Sequence, residues 1–432
     1  MIKKIMKYLL LSVLFPVFFL GLVHADSVKI GFNVPLTGFA AADGKSALNG
    51  AKLAVKQANQ AGGINGKMIE LVVYDDQASP KQAVPISNKL IEKDKVVAAI
   101  SGSYSGATRA AAGVFQSAEI PYISAYAVHP EITKAGNYVF RTSFMGEVQG
   151  RAGAKLIGAT LQRKRVVLIT LKNDFGKSLA AGFKEAAGQF NLQIVNEYEY
   201  SIKDRQFGPI VAKVKADAPE AIYATGYFFT AGPLVSQLRA AGITVPVIGQ
   251  EGYDSEQFIK IAGKASEGTI ITTSLDRDSN SSESRSFISE FEALAGHKVD
   301  MVAASGHTAM KVLVAAMKKA GTTSPSAIRN AIAQTNLVAS TGSISFNDLG
   351  EVQKNVQVQV VRDGDFHYHS EIRDQVLLAP PTRYFFFSLL AGWGSRFSHD
   401  HPPAFLISLH CCGICFFLIY LYRGCFKAVS MV

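Results

Sequence analysis

Three serines set two residues apart mark the first place in this chain where residue types and spacing could do chemistry. They are Ser101, Ser103 and Ser105, in the stretch VVAAISGSYSGATRAAAGVF, residues 96–115. The apolar run 96–100 reads as a buried strand, and the alanine-rich run from about Ala107 as a helix. A strand that turns through small residues into a helix leaves backbone N–H groups without partners, at the positive end of the helix dipole. With the serine hydroxyls, such a turn can seat an anion, or it can be a well-capped helix start and nothing more. The pattern recurs some twenty residues on, where PYIS (121–124) reads as a strand and AYAVHPE follows it. Two strand ends with small and polar residues could thus meet at one mouth.

Enzyme signatures are missing from the rest of the body. It has no G-x-G-x-x-G after a strand, no G-x-x-x-x-G-K-[ST], no G-x-S-x-G, no H-E-x-x-H and no paired C-x-x-C. His129, His297 and His307 are far apart in the chain, and Asp75, Asp76, Asp276 and Asp278 read as solvated loop carboxylates. No catalytic residue, metal site or cofactor is therefore expected. The formal charge of +10 is misleading, because the first 25 residues and residues 381–432 carry +3 each and leave +4 on the body. So mild and dispersed a charge gives no reason to expect nucleic acid as a partner. All four cysteines, Cys411, Cys412, Cys415 and Cys425, and the single Trp393 lie in the final segment, so the body must be stable through its core alone.

Those two charged ends differ in kind from the body. Residues 1–25 have a basic start (Lys3, Lys4, Lys7), an apolar core and Val23-His24-Ala25 before Asp26, which reads as a secretory signal peptide. Residues 381–432 contain a stretch without formal charge, 404–422, just long enough to span a bilayer. Three readings of this tail stand side by side: the product of a shifted reading frame, a membrane anchor, and a metal site built on its histidines and cysteines.

Between the ends, strand and helix patterns alternate. VKIGFNV, KMIELVVYDD, the central run and PYIS read as strands; SALNGAKLAVKQANQAGG and PKQAVPISNKLIEKD read as helices between them. A second set begins after NYVFRTSF, with RVVLITL, LQIVNEYEY, AIYATG, VPVIGQE and GTIITTS as its strands. Such alternation predicts parallel sheets with right-handed crossovers, in two α/β lobes. Residues 281–345 read as mostly helical, and NVQVQVVRD with DFHYHSE as a hairpin over Asp363-Gly364. Helices that follow the second lobe and return to the first would make several crossings, hence a hinge.

In order, the blocks VKIGFNVPLTG, NGAKLAVKQANQAGGINGKMIELVVYDDQASPKQAV, the serine turn, ISAYAVHPEIT, FRTSF, NDFGKSLA, ATGYFFTAGPLVSQLRAAG, GQEGYD and AASGHTA closely resemble the periplasmic branched-chain amino-acid-binding proteins of ABC importers, the leucine/isoleucine/valine-binding type. The resemblance runs from about Val28 to Asp374. It implies a type I periplasmic binding protein fold, two doubly wound parallel-sheet lobes joined by a three-segment hinge near 141–144, 272–274 and 346–350. It places lobe 1 at 26–142 plus 275–347 and lobe 2 at 143–274 plus 348–380. The function implied is capture of a branched-chain or related amino acid between the lobes and delivery to an inner-membrane ABC permease, by a monomeric periplasmic protein. A sensor module that feeds a membrane receptor is the alternative.

The resemblance also assigns roles. The ligand carboxylate would meet Ser105 and the N–H groups of Ala127 and Val128, near Ser103 and Tyr104; its ammonium would meet the Tyr126 carbonyl and Glu251; Phe175 and Tyr227 would lie over it. Departures touch the ligand's identity. Val128 stands where many relatives have Thr, Asp43 where an aromatic often lies, and His307 where Tyr is frequent. Ala78 and Tyr104 replace a cysteine pair.

Overall fold

The computed structural model describes residues 27–382 and two further strands near the C-terminus. Residues 27–382 belong to one compact unit. Its first sheet is built from β1 (Val28–Val34), β2 (Ile69–Asp75), β3 (Ala98–Ser101), β4 (Tyr122–Ser124) and β5 (Val139–Arg141), in the order β2-β1-β3-β4-β5 and parallel throughout. Helices α1 (Ala41–Gln60), α2 (Pro80–Asn88) and α3 (Ser105–Ser117) connect these strands. β3 and β4 are buried along their whole length, which is why they read as unbroken small or apolar runs rather than alternating ones.

The chain leaves this sheet after Arg141 and enters α4 (Gly146–Lys155). A second sheet follows, from β6 (Arg165–Leu171), β7 (Gln193–Tyr200), β8 (Ala221–Ala224), β9 (Val247–Gly249) and β10 (Ile270–Thr273). Helices α5 (Asp174–Ala187), α6 (Gly208–Asp217), α7 (Phe228–Ala240) and α8 (Glu256–Ala262) join them. After β10 the chain makes α9 (Ser282–Ala295), α10 (Met301–Ala320) and α11 (Pro325–Ala333). These pack back on the first lobe. α1 and α10 touch backbone to backbone, since a Cβ on Gly50 would sit 2.0 Å from the Ala303 carbonyl oxygen and one on Gly306 2.4 Å from that of Ala47. Side chains complete the join, with Ser46 donating to Asp300 at the start of α10 at 2.7 Å and Gln57 to Glu290 of α9 at 3.0 Å.

A small hairpin, β11 (Asn336–Ala339) and β12 (Gly342–Ser345), interrupts a region that reads as helical in sequence. The chain then returns to the second sheet as β13 (Val356–Arg362) and β14 (Asp365–Ile372), antiparallel to each other, with β13 antiparallel to β10. Asp363 and Gly364 both take positive φ, 52° and 75°, as the two-residue turn requires. The second sheet therefore runs β14-β13-β10-β9-β8-β6-β7, parallel except for this added hairpin.

Beyond Thr382 the structure describes β15 (Phe417–Tyr422) and β16 (Cys425–Ser430), an antiparallel pair. The apolar stretch 404–422 lies outside the described residues except for its last six, which are extended strand and not the helix that a span would need. Among the described residues no helix is long and apolar enough to cross a membrane. Residues 1–25, read as a signal peptide, also lie outside them, as do Cys411, Cys412 and Cys415.

Candidate functional site

The serine turn divides its hydroxyls between the fold and the cleft. Ser101 Oγ lies 2.7 Å from Thr108 Oγ1 in α3, and Ser103 Oγ donates to Asp76 Oδ1 at 2.9 Å. Asp76 also accepts from Asn33 Nδ2 at 2.7 Å and the Ala78 N–H at 2.9 Å, and burial pushes its carboxyl up. This aspartate is fully buried, not solvated as the sequence suggests, and it fixes the turn to β1. Ser103 is thus turned away from the cleft. Ser105, at the first position of α3, lines it instead.

The loop after β4 supplies the neighbouring wall. The Val128 N–H donates to Ser105 Oγ at 3.3 Å. The Ala127 carbonyl accepts from Ser124 Oγ at 3.1 Å and from Arg141 Nη1 at 3.2 Å. Arg141 also binds the His129 carbonyl at 2.9 Å, so one fully buried guanidinium sets the course of the loop. Its charge is matched by Glu351, which accepts from Arg141 Nε at 2.9 Å and from Thr133 Oγ1. The Tyr126 hydroxyl donates to the Gly102 carbonyl at 2.6 Å, which ties this loop to the serine turn.

The second lobe supplies the facing wall. Phe175 sits at the start of α5, behind an Asn173 cap that accepts from the Gly176 N–H at 2.8 Å. Tyr227 immediately precedes α7, and its N–H donates to Thr230 Oγ1 at 3.1 Å. Glu251 follows β9. Its loop is held to the Tyr227 loop by Gln250 Nε2 on the Gly226 carbonyl at 2.8 Å. Gly252 is needed there, because a Cβ would lie 2.2 Å from the Gly226 oxygen. The Phe175 and Tyr227 rings stack at 4.7 Å, and Tyr227 stacks on Tyr104 of the first lobe at 4.1 Å with their planes 1° apart.

These walls line one chamber between the lobes, narrow because the aromatic rings stack across it. Eight residues anticipated from sequence line it: Asp43, Tyr104, Ser105, Tyr126 and Ala127 from the first lobe, and Phe175, Tyr227 and Glu251 from the second. Val128 does not line it but reaches it through Ser105, and Ser103 does not line it at all. Gly252, Asp254, Ser255, Met301 and Val302 line it as well and were not anticipated. Gly252 and Asp254 lie within the GQEGYD block and Ser255 follows it, so all three could have been found beside Glu251. Met301 and Val302 open α10, fifty residues on, with no local signal.

Electrostatically the void is acidic. Glu251 is only 2% exposed, yet neither of its carboxyl oxygens has a hydrogen-bond partner; Gln149 is a neighbour without the geometry of a bond. Burial pushes Glu251 up and Lys354 down, and each charge partly offsets the effect on the other. Lys354 is buried, donates to the Thr341 carbonyl at 3.1 Å, and no sequence pattern singled it out. Asp43 is raised to about 7, first by burial, although the Tyr104 hydroxyl donates to its Oδ2 at 2.7 Å. Asp254 is satisfied by Arg277 and by Thr273 Oγ1 at 2.6 Å. Asp276, beside Arg277, is half-buried and not a plain solvated carboxylate. His307 lies outside the site, inside α10. Among the described residues no cluster of three or more His, Cys, Asp or Glu could hold a metal ion.

A chamber between two α/β lobes, lined by the Ser105 hydroxyl, by aromatic rings and by a carboxylate without a hydrogen-bond partner, can hold a small polar ligand. The family model described as periplasmic binding protein matches residues 27–365. The leucine-, isoleucine-, valine-, threonine- and alanine-binding protein of Pseudomonas aeruginosa is 28% identical over 332 residues, 76% of this chain and 88% of its own. The crystal structure of a branched-chain amino-acid transporter substrate-binding protein from Streptococcus pneumoniae, in complex with isoleucine, superposes with a TM-score of 0.75 at 28% identity, over 80% of this chain and 99% of its own. A solute-binding protein of Rhodopseudomonas palustris in complex with 3,4-dihydroxybenzoic acid shares the fold, with a TM-score of 0.75 at 24% identity over 80% of this chain and 97% of its own. The chain belongs to the periplasmic binding protein family, and within it the resemblance to the leucine/isoleucine/valine-binding proteins read from its residues is borne out.

Proposed function

We propose that this protein is the substrate-binding component of an ABC importer, which captures an α-amino acid in the inter-lobe chamber and hands it to a membrane permease. The fold alone does not choose the ligand, since the same fold holds isoleucine in one relative and an aromatic acid in another. The observation that carries the reading is Glu251, a buried carboxylate with both oxygens unpaired, in a chamber that Ser105 and Ala127 also line. An unpaired buried carboxylate is costly and is stabilised by a cation with N–H donors. An α-ammonium supplies that, and the α-carboxylate of the same molecule suits the Ser105, Ala127 and Val128 seat that the resemblance implies. The aromatic stack over the chamber excludes water from both contacts. Lobe 1 is taken as 26–142 plus 275–347 and lobe 2 as 143–274 plus 348–380, so that each lobe holds one end of the zwitterion. The protein acts as a monomer in the periplasm, by this reading.

Calorimetric titration with amino acids, guided by mass spectrometry of whatever co-purifies, tests it. A charge-assisted hydrogen bond contributes about 1.5–3 kcal/mol, so Glu251→Gln should weaken binding by about ten- to a hundredfold. Ser105→Ala should weaken it less, because the backbone donors remain. If Glu251→Gln binds like the parent, the ligand has no ammonium at this position and the amino-acid reading falls.

A further inference from the structure

With Glu251 assigned to the ammonium, Asp43 is a second carboxyl group, 5% exposed, on the wall of the chamber. Its ties to the scaffold are its place in the first turn of α1 and the Tyr104 hydroxyl. Asp76 fixes the serine turn, Asp300 caps α10 through the Ala303 N–H at 2.7 Å, and Asp254 is paired with Arg277. Asp43 receives one hydrogen bond, from the Tyr104 hydroxyl to Oδ2, and among the described residues no donor meets Oδ1. Asp43 and Glu251 come from different elements of the wall, the first turn of α1 and the loop after β9. The Tyr104, Tyr126 and Tyr227 rings and the apolar Met301 and Val302 line the same chamber, surfaces that suit the methylene part of a side chain.

We infer that Asp43 is the specificity-determining residue of this chamber: its carboxyl, oriented by the Tyr104 hydroxyl, accepts a hydrogen bond from the far end of the ligand side chain, so the preferred ligand is an α-amino acid whose side chain ends in an O–H or N–H donor and not a branched aliphatic one. This rests on the amino-acid reading of the chamber. A buried acceptor without a donor strongly disfavours an isosteric apolar ligand, whereas one methyl more or less in an apolar pocket discriminates weakly. The surrounding carboxylates and aromatic faces favour a cationic donor over a neutral one.

The test is a titration panel of near-isosteric pairs on the full chain: threonine against valine, glutamine against methionine, and lysine against norleucine. The donor-bearing member of at least one pair should bind the parent at least tenfold tighter. Asp43→Leu should abolish or invert that preference. Tyr104→Phe should reduce the preference without inverting it, and Asp43→Asn, which keeps the shape, controls for folding together with thermal unfolding of each variant. The pair that responds separates a hydroxyl, an amide and an ammonium as the donor. Parent protein that binds the aliphatic members as well or better, or an Asp43→Leu variant that weakens both members of a pair equally, overturns the inference and leaves the amino-acid reading standing. Binding of no amino acid at all overturns both.

Discussion

Within the chamber, burial and not residue type decides which groups are available to a ligand. Ser101, Ser103 and Ser105 are indistinguishable in sequence, yet Thr108 and Asp76 take the first two, and only Ser105 faces the chamber. Glu251, Phe175 and Tyr227 were legible because they sit in blocks long enough to be matched. Lys354 was not, because a lone lysine before a strand has no pattern; only the fold shows that it is buried near Glu251. That neighbourhood gives a further prediction. Burial holds the Glu251 carboxyl up, so part of the ligand-free protein carries a proton there at neutral pH. An arriving ammonium favours the ionised form, and binding must then release that proton. The measured binding enthalpy should therefore change with the ionisation enthalpy of the buffer, in the direction of proton release. In Glu251→Gln that dependence should shrink. A parent enthalpy identical in phosphate and Tris at pH 7 would show Glu251 already ionised.

α10 shows how one helix serves both the fold and the site. Its first residues line the chamber, its Asp300 cap meets Ser46 of α1, and its middle is buried against that helix through Gly306. The helix was legible from its long apolar pattern, and so was the β13–β14 hairpin from Asp363-Gly364. The β11–β12 hairpin was not, since its strands are four residues each and largely exposed, so no alternation marks them. His307 lies deep in α10, with Nε2 2.9 Å from Gln57 Oε1, Nδ1 3.3 Å from Ser340 Oγ, and its ring against Phe287. Burial, with Lys311 nearby, holds it down to about 3, so it is neutral in the folded protein throughout the physiological range. The unfolded chain binds a proton there from about pH 6.5 downward. The neutral histidine therefore contributes stability that is intact above the unfolded value and is lost as pH falls below it. From pH 7 to pH 5 the loss is about 2 kcal/mol. His307→Gln, which keeps a polar group of similar size, should be less stable at pH 7 but should lose about 2 kcal/mol less than the parent over that interval, as read by urea denaturation. Equal losses in both proteins would show that His307 does not stay neutral on acidification.

Over the whole molecule, two lobes and several crossings were expected from chain order alone, because helices that follow the second set of strands had to pack on something. What sequence could not show is how the crossings are tied to the chamber. Arg141 closes the first sheet, pairs with Glu351 on the last crossing, and binds the carbonyls of Ala127 and His129 in the loop after β4, which lines the chamber at Tyr126 and Ala127. A buried pair like this contributes little net stability while both partners are present, and its loss is costly. It ties the crossing at Glu351 to the loop after β4 that lines the chamber. Contacts that close the cleft are then those between lobes. They are the Tyr104–Tyr227 stack, Phe39 edge-on to Phe229 at 5.7 Å, and Arg109 on Asp174 at 3.0 Å across the exposed rim. A ligand that touches both lobes binds the closed state better and shifts the population toward it. Small-angle scattering should show a smaller radius of gyration at ligand saturation. Phe39 offers a sharper test, because it is 48% exposed and does not line the chamber. An aromatic pair contributes about 0.5–1.5 kcal/mol beyond its buried area, so Phe39→Ala should raise the open fraction and weaken affinity by about two- to tenfold without removing a ligand contact. At saturation the variant should reach the same compact radius as the parent. If the parent's radius does not change with ligand, the closing mechanism fails. If Phe39→Ala weakens binding while the saturated variant stays extended, Phe39 acts on the shape of the closed state and not on its population.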